Sequence, residues 1–429
     1  MLRPVLVVLL VALAAPVHAQ PEPAPPAVPV EEPGGRARER LDDLLKPNFR
    51  IRGLIETDAV LASQSAASMA QIGDLQNGYG FRRVRLGARG TIGDSTRWVS
   101  EVELAGGRVQ SVDVFVGFTA VPVVREVRVG YFREPFSLEA ATGVPALTFR
   151  ERSPLNDLDP ARNWGLAGYW WPETERALLA LGVYRDGTAN SGQSTGDQGA
   201  WAVTGRATGL PVYDPDDDAF RLVHVGGALS YRVPNNGLVV YSLGPSGNLL
   251  QVEDNPGTPF LPVIQIPATS QQLYNLQAAG VYGSLSVQAE WFGSAVQQPT
   301  AGVVFLHGSY AYVSYFVTGE HRGYDRTRGA FGPVKVRRPV TRAPGSLTGP
   351  GAIELGSRFS YLNFNSPNIT STPANPAIRE VLYQYDAEVN WYVNDSTRVM
   401  LSYTAAFPAL AGGSAIAAHV FGHRVGLYW

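Results

Sequence analysis

Apolar and polar residues alternate along the chain after residue 48. In residues 81–92 the apolar side chains fall on one face of a predicted strand: Val84, Leu86, Ala88 and Ile92. The polar side chains fall on the opposite face: Arg83, Arg85, Arg89 and Thr91. Successive side chains of a β-strand point to opposite sides, so this period of two residues predicts a strand with one apolar and one polar face.

The same pattern recurs in many segments, which are separated by turn-rich pieces such as Gly93-Asp94-Ser95. The further predicted strands cover residues 48–58, 98–106, 111–119, 125–133, 164–171, 177–185, 201–208, 222–232, 273–282, 284–292, 308–318, 352–363, 380–393 and 396–404, and a last strand ends at Trp429. After residue 19, no stretch approaches the ~20 apolar residues that a membrane helix needs. The pattern therefore predicts an all-β fold.

Two features favour a transmembrane antiparallel β-barrel over a soluble sandwich. The polar faces carry dense charge, including several arginines on a single strand, which a water-filled lumen tolerates. The chain also ends on a strand whose last residue is Trp429, with Phe421, Val425 and Leu427 on the same face. Aromatic residues reach 10% and charged residues only 17%, which is typical of a protein that meets a membrane interface.

The N-terminus predicts export and divides the chain into three parts. Arg3, an apolar run and the small residues Val17 and Ala19 predict a signal peptide over residues 1–19; the alternative is an N-terminal membrane anchor. Residues 20–47 are rich in proline and predict a periplasmic linker that ends in a short helix. Residues 48–429 are the predicted barrel. The formal net charge of −2 gives no indication of a nucleic-acid partner.

One connection is much longer than the others. The segment between the strand ending near Phe132 and the strand starting near Trp164 contains several prolines and apolar residues. It also concentrates arginines: Arg133, Arg150, Arg152 and Arg162. Loops longer than about 12–15 residues are usually functional or disordered. We therefore expect a loop that folds into the lumen, and the alternative is a mobile extracellular loop.

Several motifs occur in a fixed order along most of the chain. They are RRVRLG at 82–87, VGYFREPFSLE at 129–139, FRERS at 149–153, PARNWG at 160–165, YFVTGE at 315–320, YD at 324–325, GAFG at 329–332, ELGSRFSYL at 354–362 and NWYVN at 390–394. Together they resemble the phosphate-selective porins O and P. The resemblance implies a barrel of about sixteen strands, a homotrimer, and a constriction loop after Phe132. It also implies passage of phosphate or polyphosphate along channel arginines and lysines, although this chain has only two lysines, Lys46 and Lys335.

Arginines in the matching motifs and the long loop are the candidate anion pathway. They are Arg83, Arg85, Arg133, Arg150, Arg152 and Arg162. Residues two apart on a strand lie about 7 Å apart on one face, so Arg83 and Arg85 would form steps of a ladder. Arginine stays charged and offers a planar set of donors to anion oxygens. The alternative is a structural network of ion pairs with Glu101, Glu103, Glu134, Glu151, Asp157 and Asp159.

The predicted function is passive diffusion of small anions, with phosphate among them, through a porin in the bacterial outer membrane. The alternatives are a weakly selective general porin and a structural barrel with a blocked lumen. An enzymatic barrel such as a lipase is a further class, but no nucleophile elbow or phosphate-binding glycine loop is present. We predict no catalytic residues, no cofactor and no metal. The predicted partners are small anions, outer-membrane lipid and two further copies of the chain.

Overall fold

The computed structural model describes residues 49–107, 109–119, 121–185, 200–215, 220–241, 264–343, 346–369, 381–409 and 416–429. These belong to one compact unit that spans residues 44–429. The predicted signal peptide and linker, residues 1–47, lie outside the described residues.

Strands dominate the described residues. They are β1 (Arg50–Gln64), β2 (Gly78–Ile92), β3 (Thr96–Glu103), β4 (Gln110–Phe118), β5 (Glu126–Arg133), β6 (Arg162–Trp170), β7 (Ala177–Arg185), β8 (Trp201–Asp214), β9 (Arg221–Val233), β10 (Leu238–Tyr241), β11 (Ile264–Pro267), β12 (Ser270–Tyr282), β13 (Leu285–Gln297), β14 (Val303–Phe316), β15 (Gly323–Asp325), β16 (Ala330–Gly332), β17 (Thr341–Ala343), β18 (Ser346–Thr348), β19 (Ala352–Asn363), β20 (Val381–Asn394), β21 (Thr397–Ala409) and β22 (Ala418–Tyr428). The helices are α1 (Ala66–Ile72), α2 (Leu138–Ala141) and the short 3₁₀ turns Val144–Ala146, Pro154–Leu158 and Asn235–Gly237.

Sixteen of these described strands form one closed antiparallel barrel, which confirms the predicted fold class. Its order is β1 to β9, β12 to β14 and β19 to β22, and β1 pairs with β22 to close it. Each barrel strand overlaps a segment predicted from alternation. The other six described strands form three two-stranded hairpins, β10–β11, β15–β16 and β17–β18.

The two faces of the barrel wall differ in chemistry, as the alternation predicted. Large aliphatic side chains point outward and are exposed, for example Leu181 at 63%, Leu276 at 62% and Leu229 at 60%. Polar and charged side chains point to the lumen. An apolar outer band around a polar interior is the arrangement of outer-membrane barrels. Among the described residues, no helix is long and apolar enough to cross a membrane.

A β-bulge changes the register of β2 at its arginines. Glu56 pairs with Arg83 and Thr57 pairs with Phe81, so Arg82 has no partner on β1. Strict alternation from Arg83 would point Arg82 outward, but the bulge turns both arginines into the lumen, where they line one cavity. An arginine on the lipid-facing side destabilises the folded barrel by about 2–4 kcal/mol near the bilayer midplane. The register shift avoids this loss, because it keeps Arg82 in the lumen.

The long connection after β5, residues 134–161, folds into the lumen and packs against the opposite wall. Its Phe149 ring lies 5.2 Å from the Tyr312 ring of β14, and Phe136 lies 6.1 Å from Phe292 of β13. Leu155 is fully buried in the same cluster. The loop therefore has its own apolar contacts, as the sequence predicted, and these hold that part of it against β13 and β14.

A second inward segment, within the described residues 317–343, enters from the other end of the barrel. Antiparallel strands alternate in direction, so the connection after β14 leaves the barrel opposite to the connection after β5. Arg322 of this segment donates to the Ala146 carbonyl of the loop, and Arg328 donates to the Ala141 carbonyl. The two inward segments thus meet inside the lumen. This second segment was not predicted from the sequence.

Candidate ion pathway

A cavity of 1860 Å³ remains between the loop and the wall formed by β1 to β6. Its lining reaches from Arg97, at one end of β3, past Glu103, at the other end of the same strand. Residues 140–145 of the loop form the facing side. The cavity therefore follows the barrel wall along most of a strand, as an ion pathway would.

Arginine is the dominant charged residue of this cavity. Within the described residues, fourteen arginines line it: Arg50, Arg52, Arg82, Arg83, Arg85, Arg89, Arg97, Arg125, Arg128, Arg133, Arg152, Arg162, Arg206 and Arg328. Six carboxylates line it: Glu101, Glu103, Asp113, Glu126, Glu134 and Asp325. The lining thus carries a large excess of positive charge, although the whole chain has a net charge of −2.

Five of the six arginines predicted from sequence line the cavity, and Arg150 does not. Arg150 is 1% exposed on the far side of the loop. Its guanidinium Nη1 lies 2.7 Å from a carboxylate oxygen of Asp58. The structure therefore brings together Arg83, Arg85, Arg133, Arg152 and Arg162 and places Arg150 elsewhere.

Most of these five arginines have carboxylate partners. Arg85 lies 2.7 Å from Glu103, and Arg133 lies 2.7 Å from Asp159. A third pair, Arg162 with Asp113, is 3.1 Å long. Much of this region is therefore an ion-pair network, which was the alternative expectation from the sequence. Of the six acids named for that network, four pair with cavity arginines: Glu101, Glu103, Glu151 and Asp159.

Arg152 is held differently, by backbone carbonyls. It donates to the carbonyl oxygens of Glu139 at 3.1 Å and Thr142 at 2.8 Å, next to the short helix α2. Among the described residues it has no carboxylate within ion-pair distance. Burial and the neighbouring Arg133 lower the pKa of Arg152 to about 9, so its charge remains at neutral pH. Its charge is therefore fixed at the cavity wall without being neutralised.

At the end of the cavity near the β2–β3 turn, two arginines share a single carboxylate. Glu126, only 2% exposed, lies 2.5 Å from Arg97 and 2.7 Å from Arg128. The Arg128 guanidinium also lies 4.0 Å from the centre of the Tyr169 ring. The aromatic ring and the carboxylate hold Arg128 in one place.

Six cavity arginines have no carboxylate partner among the described residues: Arg50, Arg89, Arg125, Arg152, Arg206 and Arg328. Sequence reasoning named only Arg152 of these as a site residue. The candidates came from motifs and from the first long loop, so arginines outside these were missed. Arg50, Arg89 and Arg206 lie on the inward faces of strands that the sequence already predicts, and listing the inward residues of each predicted strand would have identified them.

The loop is fixed at its start by a carboxylate of the opposite wall. Glu290 of β13 accepts hydrogen bonds from the backbone N–H groups of Leu138 at 2.9 Å and Glu139 at 2.8 Å. These are orphan donors of the first turn of α2, which a carboxylate stabilises. Glu139 in turn lies 3.0 Å from Arg358 of β19. The loop is therefore anchored at several buried polar contacts.

The closed barrel, its apolar outer band and its charged lumen define an outer-membrane channel of the porin class. The family model of the phosphate-selective porins O and P matches residues 68–406. The chain belongs to this family, as the sequence motifs predicted, and its place is the bacterial outer membrane.

Two relatives resemble the chain in sequence. An uncharacterized protein of Caulobacter vibrioides is 26% identical over 89% of this chain and 74% of the relative. Porin O of Pseudomonas aeruginosa is 24% identical over 68% of this chain and 66% of the relative.

Three solved structures share the fold. OprB of Pseudomonas putida, at high pH, has a TM-score of 0.55 and 11% identity over 92% of this chain and 97% of its own. An anion-selective porin from Comamonas acidovorans has a TM-score of 0.52 and 14% identity over 89% and 99%. The trimer form of OmpT of Vibrio cholerae has a TM-score of 0.51 and 12% identity over 89% and 99%.

Proposed function

We propose that this channel passes small anions in preference to cations by passive diffusion. The observation that carries the proposal is the charge of the cavity: fourteen lining arginines against six lining carboxylates in the described part of the chain. Six of those arginines have no carboxylate partner there. A fixed positive field raises the local concentration of anions and excludes cations.

Permeation requires that each anion be bound only weakly. An anion that enters the pore loses part of its hydration shell, and donors of the wall must replace it. Arginines held by carboxylates or by an aromatic ring, such as Arg85 and Arg128, keep some N–H groups in fixed positions. An anion can then pass from one guanidinium to the next without reorganising the wall, and the nearby carboxylates limit how tightly it binds.

The proposed pathway includes Arg85, Arg133, Arg152 and Arg162 from the sequence prediction, together with Arg97 and Arg128 near the other end of the cavity. Arg83 lines the cavity but is 5% exposed and engaged by Glu56 and Glu151. We assign Arg83 a supporting role. Arg150 is not part of the proposed pathway because it lies outside the cavity.

Phosphate is one candidate among the small anions. The family description and the relative called Porin O support it, and arginine forks match phosphate oxygens. The lysines that the family pattern implies are missing. We therefore propose anion preference as the general property and phosphate as a ligand to be tested through its block of chloride current.

Reconstitution in planar bilayers tests the proposal. The expected result is a chloride permeability above that of potassium in a salt gradient, with chloride current reduced by added phosphate. A preference for potassium would overturn it. Equal permeability would support a weakly selective porin, and absence of conductance in a folded barrel would support a blocked lumen. Hydrolysis of ester substrates by the purified protein would support the enzymatic alternative.

We also propose that the barrel is a homotrimer. The family resemblance implies it, and the OmpT structure is a trimer form of that protein. The outward residues of β1 include the small Thr57, Ala59 and Ser63, whereas β20 directs Tyr383 and Trp391 outward. Small side chains permit close approach of a second wall, and aromatic side chains suit the lipid interface. Mass measurement of the detergent complex tests the stoichiometry, and a monomer mass would contradict it.

A further inference from the structure

The two loop residues Arg150 and Glu151 lie at the place where the barrel closes. Closure depends on the pairing of the first barrel strand, β1, with the last, β22. Every other neighbouring pair of barrel strands comes from consecutive barrel strands of the chain. The inner face of the closure therefore joins residues that are very distant in sequence.

Glu151 connects the loop to both sides of the closure. One carboxylate oxygen lies 2.8 Å from Arg82 Nε of β2 and 2.5 Å from Arg424 Nη2 of β22. The other oxygen lies 3.1 Å from Arg83 Nη2 of β2. A single carboxylate thus accepts hydrogen bonds from three arginines, all of them buried or half-buried.

Arg150 extends the same network to two more strands. Its Nη1 lies 2.7 Å from Asp58 of β1, and its Nε donates to Ser402 Oγ of β21 at 3.0 Å. Its backbone carbonyl accepts a hydrogen bond from Arg424. A Cβ atom on Gly422 would lie 2.5 Å from Arg150 Nε, so the backbone of β22 leaves room for this guanidinium.

We propose that Arg150 and Glu151 form a clamp that holds the closure of β21, β22, β1 and β2 and fixes the loop in the lumen at the same time. The buried arginines and carboxylates of this network neutralise one another, so removing one leaves uncompensated charge. The loop and the closure then lose stability together. This role does not depend on which ion the channel passes.

The test compares Glu151→Gln with Glu173→Gln in the full-length purified barrel. Glu173 is an exposed glutamate of the β6–β7 turn and serves as the matched control. The unfolding midpoint is measured from the mobility of the heated protein on gels. We expect Glu151→Gln to lower the midpoint by at least about 5 °C, whereas Glu173→Gln leaves it unchanged. Equal midpoints for the two variants would overturn the proposal.

Hydrogen exchange of the loop supplies the second readout. We expect backbone amides of residues 144–158 to exchange at least about tenfold faster in Glu151→Gln than in Glu173→Gln, because the loop opens locally more often. Unchanged exchange would contradict the clamp even if the midpoint falls. Glu151→Asp, which keeps the charge on a shorter side chain, provides the same measurements if Glu151→Gln does not fold. Its midpoint should lie below the wild-type value, and a wild-type midpoint with wild-type exchange would contradict the clamp.

Discussion

One half of the barrel interior is open and the other is filled. Along β1 to β6 a cavity remains, and its lining has far more arginines than carboxylates among the described residues. Along β13, β14, β19 and β20 the loop covers the wall, and charged side chains there are buried in mutual contact. The buried charged groups on that side include Arg358 and Glu354 of β19, Asp386 and Glu388 of β20, and Glu139 of the loop.

The comparison shows that burial decides whether an arginine must be paired with carboxylates. In the covered half, Arg358 is 1% exposed and lies 3.0 Å from both Glu139 and Asp386. A buried charge needs such partners, because the cost of removing it from water is large. At the cavity, most arginines keep contact with solvent and can exceed their carboxylate partners in number, whereas the buried Arg206 is held by Gln277 and backbone carbonyls. The covered half therefore supports structure, and the open half supplies an electrostatic field.

The largest expected effect comes from breaking a buried contact of the covered half. Arg358→Met leaves Glu139 and Asp386 buried without their cation, which should lower the free energy of unfolding by about 3–5 kcal/mol. Denaturant unfolding of the refolded barrel measures it. The matched substitution Arg89→Met, at the open wall, should change stability by less than about 1 kcal/mol. Similar losses for both variants would contradict the distinction between the halves.

The next effect concerns ion selectivity and belongs to the open half. Replacing Arg50 and Arg89, which have no carboxylate partner among the described residues, by glutamate reverses two charges at one end of the cavity. We expect the chloride to potassium permeability ratio to fall at least about threefold, since a charge about 10 Å away changes an ion's free energy by several tenths of a kcal/mol even in water. The ratio follows from the reversal potential. A ratio unchanged in the folded double variant would show that these arginines do not act on permeating ions.

These two predictions depend on the barrel strands, which the sequence shows clearly, and on the contacts between distant side chains, which it does not. Alternation located all sixteen barrel strands, because the period of two residues comes directly from lipid outside and water inside. The bulge at Arg82 was not predicted, since it depends on how β1 and β2 pair. Glu151 was named among the acids of the alternative ion-pair network, but its particular pairing with Arg83 was not predicted. Asp58, the partner of Arg150, was not named at all, because no local pattern encodes which residues distant in sequence meet.

The motifs identified the family and the inward loop after Phe132, but a motif match does not say which face of the loop a residue occupies. Arg150 and Arg152 are two residues apart, yet Arg152 lines the cavity and Arg150 is buried behind the loop. The second inward segment, residues 317–343, was also not predicted, because its contacts with the loop are formed only in the folded barrel.

A smaller effect should appear when the salt concentration changes. Lowering the salt from about 1 M to about 0.1 M lengthens the screening distance from about 3 Å to about 10 Å. The chloride preference should therefore rise by about twofold or more, while the stability of the covered half changes little because its pairs exclude solvent. Permeability ratios at the two concentrations measure the first effect and unfolding midpoints the second. Selectivity independent of salt would argue against an electrostatic cause.

The smallest expected effect is a pH dependence in the loop. Asp157 is half-buried and one of its oxygens has no hydrogen-bond partner, so burial raises its pKa to about 8. An unfolded aspartate has a pKa of about 3.9. The folded state therefore binds more protons between these values, and stability falls as pH rises from about 4 to about 8.

Asp157→Asn should remove this dependence. Because the half-buried Asp157 keeps contact with solvent, which weakens the effect of burial, we expect the wild-type unfolding midpoint to fall by only a few degrees between pH 5 and pH 8 relative to that of Asp157→Asn, with no further divergence above the folded pKa. Parallel pH profiles for the two proteins would contradict the assignment.

The zero-current potential across a planar bilayer tests the central account most directly. With the purified protein in a potassium chloride gradient, an open lumen wall dominated by arginines predicts a potential of the sign that chloride permeation produces. A potential of the opposite sign, set by potassium, would contradict it.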